Sequence, residues 1–331
     1  MKRYVALCVL LLALASTPVL AQLDREAMDR QRMRDNHIQE STQFTHKYTK
    51  STPNAEGYKT CVTTYDTNGN PLSIVNYRAN GDESSRHYYT YNAQGLKTEY
   101  RKEEPVAMGG RGKKVMKLFY KQQFTYDANG NKLQETGFDG TANYKITYSY
   151  LPNGRLSDIT RYAADNTVNE RWIYSYQGSK QIIRITPKNG KPYNVEKVYD
   201  DNGNLLTDTQ FDAEGKEGKR VEYTYDTKGR IATESEFYEG KLRNALRYVF
   251  NAKGQLVQVM QATPSGKEVV NSDYGYDKEG NLVREQWIDG EPSLISKKDS
   301  QFDSQGNMVK VDSYYAPYKY RVMYTYKYKK F

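Results

Sequence analysis

Three histidines, two cysteines and 40 acids are the residues from which this chain could build a reactive site. A metal centre or a nucleophile–base pair needs such side chains brought together at short spacing. His37, His46 and His87 offer no such spacing with one another or with Cys61, and read as surface or strand residues. Cys61 lies in the strand-like run from Thr60 to Tyr65, where a packed thiol is expected. Glu234 and Glu236 share a face at strand spacing, and paired carboxylates about 5 Å or more apart do glycoside chemistry. A chain this rich in acids contains many such pairs, so a glycan-active hydrolase is an alternative and a noncatalytic protein is the leading reading. Asp66–Asn70, Asp127–Asn131 and Asp200–Asn204 resemble calcium loops, but Val75, Thr136 and Thr209 stand where the bidentate acid belongs. The run Gly109-Gly110-Arg111-Gly112-Lys113-Lys114 misses the phosphate-loop spacing. Neither a metal nor a cofactor is expected.

Binding is the chemistry the composition favours. Tyrosine supplies 32 aromatics against 9 Phe and 2 Trp, so most rings carry a hydroxyl. Tyr148 and Tyr150, Tyr174 and Tyr176, and Tyr223 and Tyr225 recur at spacing two, which places each pair on one face of a strand. Rows of half-exposed tyrosines present a flat, hydrogen-bonding surface suited to sugar rings, and these six are candidate ligand residues. Packing across neighbouring strands is the competing account. Arg111, Lys113 and Lys114, within the basic stretch 101–117, are candidates for contact with an anionic polymer, against a plain solvated loop. The expected partner is a polysaccharide or another cell-surface molecule, not a nucleic acid.

The elements that position these residues are announced by one recurring phrase: an aromatic, Asp or Asn, two loop residues, Gly and often Asn. It is seen in Tyr65-Asp66-Thr67-Asn68-Gly69-Asn70, Tyr126-Asp127-Ala128-Asn129-Gly130-Asn131 and Tyr199-Asp200-Asp201-Asn202-Gly203-Asn204. Its glycines are Gly69, Gly95, Gly130, Gly154, Gly178, Gly203, Gly229, Gly254, Gly280 and Gly306, spaced 24 to 26 residues apart except for one step of 35. Each phrase has the chemistry of a hairpin turn: an Asp or Asn cap followed by a glycine able to take positive φ. Alternating aromatics before the turn and an aliphatic after it mark two strands per repeat, about 20 in all.

The phrase Tyr-Asp-x-x-Gly-Asn resembles the YD repeats of the RHS family over residues 58 to 331. That resemblance implies an all-β fold in which about ten 25-residue hairpins wind into a continuous, curled antiparallel sheet. In large members the sheet closes as a shell around a toxin. This chain has far fewer repeats, no aspartic-protease-like segment and no nonrepetitive C-terminal domain, so it reads as a bare repeat domain.

Lys2 and Arg3, an apolar run from Tyr4 to Leu14, and Val19-Leu20-Ala21 read as a signal peptide covering 1–21, cleaved before Gln22. Cys8 falls inside the apolar run. Mean hydropathy is −0.91 and no later stretch reaches the roughly 20 apolar residues of a spanning helix. The net charge of +9 falls to +7 without the leader, and Cys61 is then alone, with no disulfide to form. Residues 22–57, rich in charge, read as a polar linker or N-terminal cap. The function that follows is a noncatalytic exported repeat protein that binds or scaffolds in the periplasm, at the cell surface or outside the cell. A second alternative is an outer-membrane barrel, for which about 20 strands and a terminal Phe331 speak. Polar residues on both faces at Lys132–Thr136 and Thr233–Glu236 speak against it.

Overall fold

The computed structural model describes residues 27–108, 114–263 and 265–331. The leader, Arg111 and Lys113 lie outside the described residues. A helix, α1, covers residues 27–35. Strand β1 (Ile38–Thr49) follows, then the two-residue β2 (Thr52–Pro53), and then an unbroken series of hairpins from β3 (Tyr58–Tyr65) to β23 (Tyr320–Lys330).

Each repeat folds for local reasons. At the turn after β13 (Tyr193–Tyr199), the Asp200 carboxylate accepts the backbone N–H groups of Asn202 and Asn204 at 2.9 and 2.8 Å and the Asn204 side-chain amide at 2.8 Å. The Gly203 N–H donates to the Asp200 carbonyl at 3.0 Å. Asp thus caps the turn, and the following Asn locks the cap. The same bonds recur at Asp66, Asp127 and Asp303. Because successive strands alternate in direction, all these Asp-led turns fall at one end of the sheet. We call that end the upper rim and the opposite end, with the other set of turns, the lower rim.

The sheet is closed. β1 pairs antiparallel with β3 on one side, Gln43 opposite Cys61, and with β23 on the other, Thr45 opposite Tyr324. Leaving out β2, the wall is a ring of 22 antiparallel strands. This corrects the open, curled sheet expected from the repeats. A hairpin array leaves a free edge at each end, and here the segment read as a polar linker or cap supplies the strand that satisfies both. Its first residue, Ile38, is fully buried. The basic stretch 101–117 also differs from the loop expected. Most of it belongs to β6 (Lys97–Ala107) and β7 (Lys114–Tyr126), which pair as one long hairpin, Ala107 opposite Lys114.

Residues paired across antiparallel strands share a face, so the pairing assigns every side chain to one of two surfaces. Ile159, Ile183, Ile185, Val195, Tyr223, Val259, Val311 and Val322 are all buried and all belong to one surface. In a ring, side chains on the concave side converge and those on the convex side splay, so this set lines the lumen. Ile183, Ile185 and Val195 pack there with Trp172, Tyr174 and Tyr193. The outward set is polar: Arg171, Arg184, Arg247, Arg284, Lys297, Asp299, Arg321 and Lys327 are exposed on it. Several are paired across strands, as in Arg284–Asp273 at 2.8 Å and Arg321–Asp312 at 2.9 Å.

Candidate functional site

The tyrosine rows face the lumen, but their two members do different jobs. The second tyrosine of most phrases gives its hydroxyl to a backbone carbonyl of the preceding hairpin, whereas Tyr65 and Tyr199 bond the Ser41 and Gln181 side chains and Phe250 and Phe302 carry no hydroxyl. Tyr150 donates to Lys132 at 2.8 Å, Tyr176 to Leu156 at 2.9 Å and Tyr225 to Leu205 at 2.7 Å. Tyr91, Tyr126, Tyr276 and Tyr328 make the equivalent bond to Pro71, Lys97, Leu256 and Met308. These hydroxyls tie their repeats to the neighbouring hairpins. Half of the candidate tyrosines, Tyr150, Tyr176 and Tyr225, therefore have their donor committed to the wall.

The first members, Tyr148, Tyr174 and Tyr223, point into the lumen, and their hydroxyls make no hydrogen bond among the described residues. Burial pushes all three phenols up, that of Tyr174 to about 12, so they stay neutral donors. Tyr223 is itself buried at 7% exposure and offers little surface. Lys114 opens β7 at the lower rim, 3.8 Å from Asp82, far along the strand from the tyrosines near the upper turns.

The side chains that converge on a cavity are others. At the upper rim α1 lies against the lumenal face of the wall. Met33 is buried there, and the Asn36 amide donates to the Asn307 side chain at 2.7 Å and to the Gln305 carbonyl at 3.0 Å. The Arg32 guanidinium sits 5.4 Å over the Phe302 ring. Gly69 permits the close approach: a Cβ there would stand 2.0 Å from the Arg30 carbonyl oxygen, and its φ is +78°. Between helix and wall is a cavity of about 720 Å³. Its aromatic side is Tyr65, Tyr89, Tyr91, Tyr326 and Tyr328, its cations are Arg30, Arg32 and Lys97, and Asp29 is its acid.

Burial pushes the Tyr91 and Tyr326 phenols up to about 12, and raises Tyr65 and Tyr328 as well. The cavity is thus a bed of uncharged rings beneath two guanidinium groups. It can stack against a flat or ring-shaped ligand and hold an anionic substituent. Sequence reasoning missed this site because α1 and β1 carry no Asp-x-x-Gly phrase. The signal available was Phe44, His46 and Tyr48 at spacing two in a Thr-rich run, the same strand signature as in the repeats.

The groups with reactive chemistry are dispersed. His46 donates from Nδ1 to the Asn54 carbonyl at 2.9 Å and has Nε2 2.9 Å from Thr325 Oγ1. His87 contacts Tyr100 and Ser85, and burial lowers its pKa. Burial raises the Cys61 thiol, which favours the unreactive protonated form. Glu234 and Glu236 both face the lumen, Glu236 bonded to Lys219 at 2.9 Å and Glu234 accepting from Tyr248 at 3.3 Å. Among the described residues no three His, Cys, Asp or Glu side chains gather as metal ligands.

No protein-family model matches the chain, and no curated protein is similar to it. Among solved structures, the Photorhabdus luminescens Tc holotoxin pore is 13% identical over 82% of this chain with a TM-score of 0.26. This chain spans only 19% of that one. A porin-like protein from Bacteroides uniformis is 11% identical over 88% of this chain and 98% of its own, with a TM-score of 0.32. A porin-like protein from Bacteroides vulgatus is 10% identical over 90% and 100%, with a TM-score of 0.26. These values carry no argument about this chain.

Proposed function

We propose that this protein is a closed β-barrel of the cell envelope that holds an acidic carbohydrate chain at the upper end of its lumen. The cavity under α1 carries this reading: five tyrosines and two arginines lining one half-open space of about 720 Å³. Sugar rings stack on aromatic faces, and guanidinium groups select carboxylated or sulfated sugars over neutral ones. Titration calorimetry with an acidic polysaccharide such as polygalacturonate, against a neutral glucan, tests it. Binding of the acidic chain that drops at least tenfold in the double variant Tyr89→Ala, Tyr326→Ala supports the reading. Equal or absent binding of both glycans sinks it.

A closed wall also favours the outer-membrane alternative over an open scaffold, since lipid tolerates no unpaired sheet edge. The outward face sets the balance between a lipid and an aqueous setting. An outward Arg or Lys at the bilayer midplane costs about 2–4 kcal/mol, and Arg171, Arg184, Arg247, Arg284 and Arg321 all stand outward and exposed. We therefore favour a barrel with water on its outer face. Release by osmotic shock without detergent supports this reading; retention in carbonate-washed outer membranes supports the spanning one.

A further inference from the structure

The lower rim carries an exposed apolar load that neither the wall nor the cavity uses. Tyr318 is 81% exposed, Met108 50%, and Leu118, Phe119 and Tyr320 each 47%. Leu242, Val270 and Ile295 continue the band around the rim. Five of these side chains lie in the sector from β23 through β1 and β3 to β7, whose neighbours along the wall are consecutive.

The same sector carries an excess of cations over acids. Lys50, Arg78, Lys117 and Lys319 have no acid partner among the described residues, against one unpaired acid there, Glu56. Lys59 lies 4.0 Å over the Tyr77 ring and has no acid partner among the described residues either. Elsewhere on the outer wall some cations are matched across strands, as in Arg171–Asp158 and Arg247–Glu268, while Arg184 and Lys297 have no acid partner among the described residues. Aromatic and aliphatic side chains at the tips of hairpins, set among uncompensated lysines, are what an interfacial anchor needs. The rings enter the headgroup layer while the ammonium groups meet anionic lipid.

We propose that the lower rim, led by this sector, docks on the surface of an anionic bilayer without crossing it. The barrel then stands on the membrane with the cavity end facing away. Docking is independent of what the cavity holds, so a failure of glycan binding leaves it standing, and the converse is also true.

The test is flotation of the purified protein with vesicles of phosphatidylethanolamine and phosphatidylglycerol, compared with phosphatidylcholine vesicles. The protein floats with the anionic vesicles, and 0.5 M salt releases it. A lysine near an anionic surface contributes about fivefold to binding, so Lys117→Glu with Lys319→Glu lowers flotation at least about twentyfold. Phe119→Ser with Tyr318→Ser weakens it at least about tenfold at low salt. The upper-rim pair Leu72→Ser, Leu133→Ser floats as the parent does. Matching circular dichroism and melting curves show that each variant is folded. The proposal is overturned if the parent does not float, if it binds phosphatidylcholine equally, or if both lower-rim variants float as the parent does.

Discussion

The two rims of the barrel are made by the same hairpins and end differently. At the upper rim most repeats close the turn with an Asp or Asn cap and give a tyrosine hydroxyl to the neighbouring hairpin, so polar groups there are consumed in holding the ring. Gly69 and Asn307 extend this order to α1. At the lower rim the turns vary in length, from the two residues Glu239 and Gly240 to the long β6–β7 hairpin, and apolar side chains remain in solvent. Stability is therefore concentrated at one end and available surface at the other. The difference teaches that a repeat can be held closely at one turn and more loosely at the next: the upper turns are tied through tyrosine hydroxyls bonded to backbone, the lower ones through exposed ion pairs such as Lys191–Glu214 and Lys216–Glu239.

The contrast is broken most severely by Gly69→Val. The new side chain meets the Arg30 carbonyl and the residue is held at positive φ, so the helix must lift as well as the turn strain. A loss of about 3 kcal/mol in denaturant unfolding is expected, together with loss of ligand binding at the cavity. Gly229→Val is the control within the same rim. Its φ is +75°, but nothing lies within 4 Å of the added Cβ. It should cost about 1–2 kcal/mol from backbone strain alone, with hydrogen exchange raised around Tyr225 and Ile231 and unchanged near Gly69. Equal effects for the two glycines would dismantle the claim that α1 is seated on Gly69.

Smaller substitutions sharpen the same line. Tyr225→Phe removes the hydroxyl that bonds the Leu205 carbonyl and should cost about 1 kcal/mol. Tyr223→Phe, whose hydroxyl has no such partner, should change stability by less than about 0.5 kcal/mol. Thermal melts of the pair decide whether the second tyrosine alone ties the repeats.

Acid loosens the carboxylate-capped turns of both rims next, since hydrogen bonds from Thr141 and Thr167 hold the lower-rim Asp139 and Asp165 carboxyls down as well. Hydrogen bonds from Asn131, Asn204 and Arg230 hold the Asp127, Asp200 and Asp226 carboxyls below the ordinary value. A depressed folded-state pKa gives stability that is complete above the unfolded value near 4 and is lost as pH falls through the lower folded one. Amide exchange followed between pH 5 and 2.5 should therefore rise at the upper turns before the Ile183–Val195 lumen cluster. Uniform exchange along the strands would contradict it. The smallest effect is expected at the lower rim, where Tyr318→Ser should shift unfolding by less than about 0.5 kcal/mol. A large loss there would mean that the rim is structural.

The sequence by itself determined whatever is settled within about 25 residues. Asp200, Gly203 and Asn204 make their turn with bonds spanning four residues, and alternation such as Arg171, Trp172, Ile173, Tyr174 assigns outward and lumenal faces from strand geometry alone. The candidate tyrosines were legible as one face, but not as two classes. The bond from Tyr225 to Leu205 crosses to the preceding hairpin, and it is this crossing that distinguishes the second tyrosine from the first. Closure was decided only in the tertiary structure. Ile38–Thr49 pairs with Tyr320–Lys330 from the opposite end of the chain, and no local pattern states which distant edge a Thr-rich strand will meet. The cavity follows from that closure. Once β1 completes the ring, α1 is carried onto the upper rim, where Arg30 and Arg32 meet tyrosines from both ends of the chain. Hairpin chemistry is local and therefore readable, whereas closing a ring requires two edges of matching register brought together against chain entropy, a property of the assembled wall.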